Sequence, residues 1–326
     1  MTQHVPLRLV VLMPVRDDWS SASELILHLD KVLSSAGYTV EILMVDDGSI
    51  QRCEARDFQT RCSAVRAISV LRLRRNLGHQ RAIAVGLAYL QDTAAYDAIL
   101  VMDSDGEDTP EGVLCLLQAY SENHGTRAIF AARSRRSESL VFRLFYGLYR
   151  VLHRAFTGIS VRVGNFSIFP WVYLNTLVVM SELWNHYAAA VFRSRLPLTM
   201  VPIPRGTRIA GKSTMNFTAL VSHGLSAISV FGDIVGVRLL ITSLAGSAFA
   251  GLGIVLVALV RIFTNRAIPG WATVATGALA IIMIQFITIA ASFTFFVLSS
   301  RTNLGFVPLR DYSLFVDEAV NIYRHD

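Results

Sequence analysis

At 326 residues the chain has room for about two domains. Its 53% hydrophobic and 17% charged residues set it apart from ordinary soluble domains, with about 25% charge, and, with the charge concentrated in the first 200 residues, describe a soluble-type domain followed by a membrane segment. Three cysteines, Cys53, Cys62 and Cys115, are too few for a disulfide framework and lack zinc-site spacing, as free thiols of a reducing compartment do. The net charge of +6 is carried almost wholly by arginine and goes with no recognised nucleic-acid motif, so no nucleic-acid partner is expected. Arginines interleaved with aromatics beside an apolar segment favour a membrane-facing role instead.

In chain order, Leu7–Met13 (LRLVVLM) has the length and β-branched content of a buried parallel strand, and is too short for the apolar core of a signal peptide. Trp19–Ser35 has helical periodicity and is closed by Gly37. Thr39–Val45 and Ala67–Leu73 read as the second and third strands, Gly78–Leu90 as a helix and Ala98–Met102 as the fourth strand. Pro110–Tyr120 follows as a helix with proline in its first turn, then Arg127–Ala131 as a fifth strand. This alternation predicts a doubly wound α/β domain with a mainly parallel sheet, whose ligands sit at the C-terminal ends of the strands.

Toward the C-terminus the 22 residues Leu239–Val260 and the 34 residues Ala267–Ser300 carry no charge. At 1.5 Å per residue the first spans about 33 Å, enough for a hydrocarbon core of roughly 30 Å. The two predict a transmembrane hairpin with helices at about 239–261 and 271–299, with Ser247 and Gly251 as a small-residue pair seating one against the other. Arginines flanking both helices favour cytosolic ends. Two amphipathic stretches, Leu140–Phe156 and Met215–Val237, either lie in the membrane interface or pack on the soluble domain. The expected division is a domain over 1–212, a juxtamembrane region over 213–237, the hairpin over 238–300 and a cytosolic tail over 301–326 in which no motif is legible.

The residues just after each strand carry the chemistry. They are Pro14-Val15-Arg16-Asp17-Asp18, Asp46-Asp47-Gly48-Ser49, Arg74 to His79, and Asp103-Ser104-Asp105-Gly106-Glu107-Asp108. Two carboxylates two apart in a tight turn can share a hard divalent cation that bridges the phosphates of a nucleoside diphosphate, and Glu107 stands beside them as a third oxygen ligand. Aspartate is also common in turns for local hydrogen bonding, so position at a strand end gives the pattern its weight. Asp46 and Asp47 suit a base imide or ribose hydroxyls. Gly206 to Ser213 fits the phosphate-loop pattern G-x-x-x-x-G-K-[ST], but Pro202 and Pro204 interrupt the strand such a loop needs. The first strand-to-helix turn holds no glycine fingerprint, which excludes a dinucleotide-binding dehydrogenase.

The pieces LVVLMPVRDD, EILMVDDGS, RRNLGHQRAIAVGL, VMDSDGEDTPE and RGTRIAGKS, with the terminal hairpin, resemble the family-2 inverting glycosyltransferases of GT-A fold. The nearest branch contains dolichol-phosphate mannose synthase and the bacterial polyprenyl-phosphate glucosyltransferases. The resemblance implies a nucleoside-diphosphate sugar donor, a polyprenyl-phosphate acceptor, a bilayer of the bacterial cell membrane with the catalytic domain and both termini cytosolic, and a tendency to homo-oligomers. It implies that Pro14, Asp18, Asp46, Asp47 and Asn76 line the nucleotide, that Asp103, Asp105 and Glu107 hold Mg²⁺ or Mn²⁺, and that Arg208 completes the catalytic group with Asp103 and Asp105. Arg208 and Ser213 would face the diphosphate or acceptor phosphate, and Arg133 and Arg143 would grip a lipid phosphate. Gly164-Asn165-Phe166-Ser167 departs from the family's Gly-Asp-Phe-Arg and loses a carboxylate; a phosphate acceptor, already ionised near neutral pH, tolerates that loss better than a hydroxyl. The alternatives are the same donor chemistry with a non-polyprenyl acceptor, a glycan or a lipid hydroxyl, and, from a different class, a non-catalytic membrane-bound homologue within a glycan-assembly complex.

Overall fold

The computed structural model describes residues 7–53, 58, 62–133, 147, 154–155, 157–158, 163–210, 217–264, 270–302 and 305–325. The chain divides into two compact units. One comprises residues 1–142, 161–230 and 305–326, the other residues 143–160 and 231–304.

The first unit is built on an eight-stranded sheet of β1 (Leu9–Val15), β2 (Val40–Asp46), β3 (Val65–Leu73), β4 (Ala98–Val101), β5 (Ala128–Arg133), β6 (Val163–Pro170), β7 (Leu198–Ile203) and β8 (Val316–Arg324), in the order β7-β5-β6-β4-β1-β2-β3-β8. β4, β1, β2 and β3 are mutually parallel; α1 (Trp19–Ser35) connects β1 to β2, α2 (His79–Thr93) connects β3 to β4, and α3 (Pro110–Glu122) leads from β4 to β5. Every residue of β1 is buried, as expected of a central strand covered on both faces. Its residues alternate between two cores: Leu9, Val11, Met13 and Val15 meet α1, while Val10 and Leu12 meet α2.

The strand ends differ from the sequence expectation by two residues or fewer at β1, β2, β3 and β5, each running slightly later or longer. β1 continues through Pro14, which pairs with Val45. β4 stops at Val101 opposite Leu12, so on that side no ladder partner requires the amide hydrogen that proline lacks.

Three strands escaped the sequence reading. β6 lies antiparallel between β4 and β5. β7 contains Pro202, read as an interruption; it pairs only with β5 at the sheet's edge, where a proline is tolerated. β8 comes from the segment read as a motif-free tail and pairs antiparallel with β3. It is fastened by Ser69 Oγ donating to Asn321 (2.6 Å) and by the Arg72–Glu318 ion pair. Before it, Phe306 and Phe315 stack with Trp184, and the Arg74 amide donates to the Phe315 carbonyl at 2.8 Å.

In the second unit two helices, Gly232–Phe263 and Trp271–Thr302, pack against one another. Both are long and apolar enough to cross a membrane, and the first, at 32 residues, is longer than its uncharged run. Gly236, Ser243, Ala250 and Val257 are buried on the first helix, a seven-residue repeat that makes a coiled-coil seam. Between them Gly246 meets Phe286, and Gly253 meets Leu279. The expected pair is therefore replaced: a Cβ at Gly251 would touch nothing within 4 Å. Away from the seam, Phe249 (75% exposed), Val274 (74%) and Phe295 (75%) face outward, an apolar surface of the kind that marks a membrane segment.

Candidate active site

Four parallel strands of unequal length end on one edge of the sheet, and the polar turns that follow them are bonded to one another there. After β1, Asp17 has φ 52°. Its amide donates to Ser49 Oγ (2.9 Å) and its Oδ1 accepts from the Ile50 amide (2.6 Å), tying the first turn to the second. After β2, Asp46 is buried and accepts from the Ser49 amide at 2.9 Å. Asp47, 4% exposed, accepts from the amides of Leu77 (2.6 Å) and Gly78 (2.9 Å). Its carboxyl is pushed above the usual range by burial, which outweighs those two amides and Arg16. Gly48 has φ 68°, and a Cβ there would come within 2.6 Å of the Asn76 amide nitrogen, so only glycine lets the second and third turns close on each other. Asn76 is exposed, and its Oδ1 accepts from the Gly78 amide. Asp47 thus shapes the third turn with both oxygens, a role that competes with the expected contact to a nucleoside.

The fourth turn is the most crowded. The Asp103 amide donates to Asp108 Oδ2 (2.9 Å), Ser104 Oγ donates to the Pro14 carbonyl (3.1 Å), and the Glu107 amide donates to Asp105 Oδ1 (3.0 Å). The loop that carries the phosphate-loop pattern lies across this turn, with the Gly206 amide on the Glu107 carbonyl and the Ile209 amide on the Asp105 carbonyl. It delivers two arginines. Arg208 donates to Asp18 Oδ2 (3.1 Å) and stands 3.7 Å from Asp105 Oδ2, while Arg205 pairs with Glu107. Burial and then the Asp103 charge push the Asp105 carboxyl up, against the pull of Arg208 and Arg205.

The structure accordingly brings Asp18, Asp103, Asp105 and Arg208 together, but not Glu107 as a free third ligand, because Arg205 holds it. Among the described residues no three His, Cys, Asp or Glu side chains stand grouped as a metal site. The donor set still fits a hard divalent cation in part: two carboxylates repel one another in one buried turn, the charge excess such an ion relieves. Pro14 is buried under this edge. Arg133 ends β5; Arg143 and Ser213 lie outside the described residues.

Sequence reasoning missed a polar chain beside Asp103. His79, the first residue of α2, places Nε2 3.1 Å from Asp103 Oδ1 and 2.8 Å from Asn165 Nδ2. Asn165, 7% exposed on β6, accepts from Gln80 Nε2 (3.1 Å), and Gln80 Oε1 accepts from the Tyr187 amide (2.7 Å). The His79 side chain is 42% exposed, so although desolvation opposes its charge, Asp103, Asp108 and Asp47 prevail and hold its pKa above the ordinary histidine value. The histidine in Gly78-His79-Gln80 stands directly after the third strand's turn, which was the signal available.

The chain thus combines a mixed α/β sheet, with carboxylates and arginines clustered at its strand ends, and two helices long and apolar enough to cross a membrane. Residues 10–170 match the family described as Glycosyl transferase family 2, and the chain carries a domain of that family and is a glycosyltransferase. It is 25% identical over 281 residues to the uncharacterized glycosyltransferase YkcC of Bacillus subtilis (strain 168), covering 84% of this chain and 83% of that one. It is 27% identical over 300 residues to the undecaprenyl-phosphate 4-deoxy-4-formamido-L-arabinose transferase of Edwardsiella ictaluri (strain 93-146), covering 87% and 84%. Among solved structures, glucosyl-3-phosphoglycerate synthase from Mycobacterium tuberculosis with Mn²⁺, UDP-glucose and phosphoglyceric acid aligns with a TM-score of 0.49 at 14% identity, over 71% of this chain and 80% of that one.

Proposed function

We propose that the protein transfers one sugar, with inversion, from a nucleoside-diphosphate sugar to a polyprenyl phosphate at the cytosolic face of the bacterial cell membrane. The observation that carries this reading is the buried amide of Asn165, held between His79 and Gln80 where the resembling family has a carboxylate. An acceptor that needed deprotonation would miss that base; a phosphate, already ionised, does not. The name of the undecaprenyl-phosphate transferase, similar over most of both chains, supports the same acceptor class.

In this reading Asp18, Asp46, Asp47, Asn76 and the Pro14 backbone form the nucleoside end of the site. Asp47 acts there through the turn that it holds, and Asp103 and Asp105 would hold Mg²⁺ or Mn²⁺. The cation, when bound, offsets the charge that develops on the departing diphosphate. Arg208, aimed between Asp18 and Asp105, is placed to exchange a carboxylate for a phosphate oxygen of the donor. The acceptor oxygen bonds to the anomeric carbon as the bond from that carbon to the diphosphate breaks, and the electron pair leaves with the diphosphate. Arg133, Arg143 and Ser213 are assigned to the acceptor phosphate, and a homo-oligomer is expected. The two apolar helices hold the domain where an insoluble acceptor is concentrated. β8 follows both helices and pairs with β3, which precedes them, and this supports a topology in which the chain enters and leaves the bilayer on one side.

The test supplies the detergent-purified protein with UDP-, GDP- and dTDP-sugars, Mn²⁺ and a short polyprenyl phosphate, and follows products by mass. A glycosyl-phosphoryl-polyprenol that disappears in Asp103→Asn is the expected result. Donor hydrolysis with unmodified lipid would refute the acceptor, and no binding or turnover across the panel would favour the non-catalytic homologue.

A further inference from the structure

Gln285 is the only side-chain amide in either of the two long uncharged runs. It sits at the midpoint of the apolar span Trp271–Ser299, about 21 Å from each end at 1.5 Å per residue, too deep for its side chain to reach water at either interface. We propose that the helix face carrying Ala278, Ile281, Gln285, Thr288, Ser292 and Phe295 packs in the bilayer against the same face of a second copy of this chain, the two Gln285 amides hydrogen-bonding to each other. The inference rests on the membrane-spanning reading above and deepens it, by naming the surface through which the expected homo-oligomer forms.

Three observations carry it. The first is direction. Phe286 and Leu279 turn toward Gly246 and Gly253 of the first helix. Gln285 lies about 100° round the helix from Phe286, and all six residues of the face are exposed, Ile281 by 60%, so the first helix does not cover them. The second is spacing. The six recur at intervals of three and four, with Ala278, Gln285 and Ser292 at one set of positions and Ile281, Thr288 and Phe295 at the other, the alternation of a coiled-coil seam. Alanine, serine and threonine are the small residues that let helix backbones approach closely in a membrane.

The third is the unmet demand of the amide. The Thr288 and Ser292 hydroxyls donate to the Ile284 and Thr288 carbonyls at 2.9 and 2.8 Å, so both are satisfied within their own helix. Among the described residues the Gln285 amide has no hydrogen-bond partner. Lipid tails offer it none, a cost that bonding between helices removes. An amide holds both donor and acceptor and is thus its own complement. Two copies related by a two-fold axis along the membrane normal run their helices in parallel, and each residue beside the axis faces its own counterpart. There each NH₂ donates to the other copy's amide oxygen. A second copy supplies this match by symmetry, and one polar residue among apolar ones fixes the register.

The experiment uses the full-length protein reconstituted in liposomes, and none of its readouts depends on sugar transfer. Subunit counting by single-molecule photobleaching, over a range of protein-to-lipid ratios, is expected to show association that Gln285→Leu weakens about tenfold and Gln285→Asn retains. Leucine on an outward face in lipid leaves the helix itself intact. Ser292→Cys is expected to form a disulfide between copies that the parent chain, treated alike, does not form. Ile287→Cys, replacing a residue 50% exposed but off this face, is expected to form none. Association of Gln285→Leu equal to the parent's would overturn the proposal, as would cross-linking through Ile287→Cys and not Ser292→Cys. A chain that stays monomeric at every ratio, yet resists extraction by alkaline carbonate, would overturn it and leave the membrane reading standing. Release by carbonate would sink both.

Discussion

The sheet unit and the helical hairpin use the same apolar residue types toward opposite ends. In β1 all seven residues point into protein and are buried. On the helix Gly232–Phe263 burial is confined to one residue in seven, with Gly246 and Gly253 between, while Phe249, Leu252 and Leu256 face outward. In the first unit water drives side chains inward. In the second, small residues sit at the close backbone approach and the large ones stand outside, the arrangement that a hydrocarbon solvent rewards. The lesson is that a buried glycine has a packing role in both units, whereas an exposed phenylalanine is at home only in the second.

Removing residues 305–326 should have the largest effect, because it strips β8 from β3 and the Phe306–Trp184–Phe315 stack from the first unit. Thermal unfolding should then show no cooperative transition for the sheet unit, while the apolar helices still partition into detergent. A cooperative transition near that of the full chain would show that β8 is dispensable.

Next comes Asp103→Asn, which should lower turnover by about 10²–10³-fold without shifting the unfolding midpoint, as measured by donor consumption and denaturation of the same sample. Gly86→Ala follows: its Cβ would fall 2.6 Å from Val45 Cγ2 and 2.8 Å from Leu12 Cδ1, an overpacking that costs about 1–3 kcal/mol in urea unfolding.

The hairpin supplies the finest contrast. Gly246→Leu drives a side chain into the Phe286 ring and should separate the two helices, read as loss of a disulfide cross-link between cysteines introduced along the seam. Gly251→Leu, with nothing within 4 Å, should leave that cross-link unchanged. Equal behaviour of the two variants would refute the seven-residue seam. Pro202→Ala, on the edge strand β7, should fall within about 0.5 kcal/mol of the parent.

Much of the first unit was legible because β1 to β4 and α1 to α3 are encoded locally, as apolar runs of strand length alternating with helical periodicity. β6, β7 and β8 were not, and each for a physical reason. β6 presents Gly164, Asn165 and Ser167 amid its apolar residues, and it becomes a strand by lying between β4 and β5. β7 contains a proline that is acceptable only at an edge. β8 alternates charged and apolar residues, and its partner β3 lies some 250 positions earlier in the numbering.

In the site, Asp103, Asp105, Asp18 and Arg208 were named from the sequence, and the fold brings them within reach of one another. Glu107 was assigned to the cation on adjacency and on the resemblance, and neither foresaw Arg205, nearly a hundred positions away.

By itself the sequence determined which residues follow the parallel strands, and hence that carboxylates and arginines meet at one edge, because strand direction and right-handed connection leave little choice. It also determined two long uncharged runs, which lie largely in helices long and apolar enough to cross a membrane. Only the tertiary structure decided which polar side chains share a hydrogen bond. Asn165 reaches His79 from β6, Arg205 and Arg208 arrive on a loop from beyond β7, and the last residues of the chain close the sheet beside β3. Such contacts depend on ångström distances between groups far apart in sequence, and no local propensity encodes them.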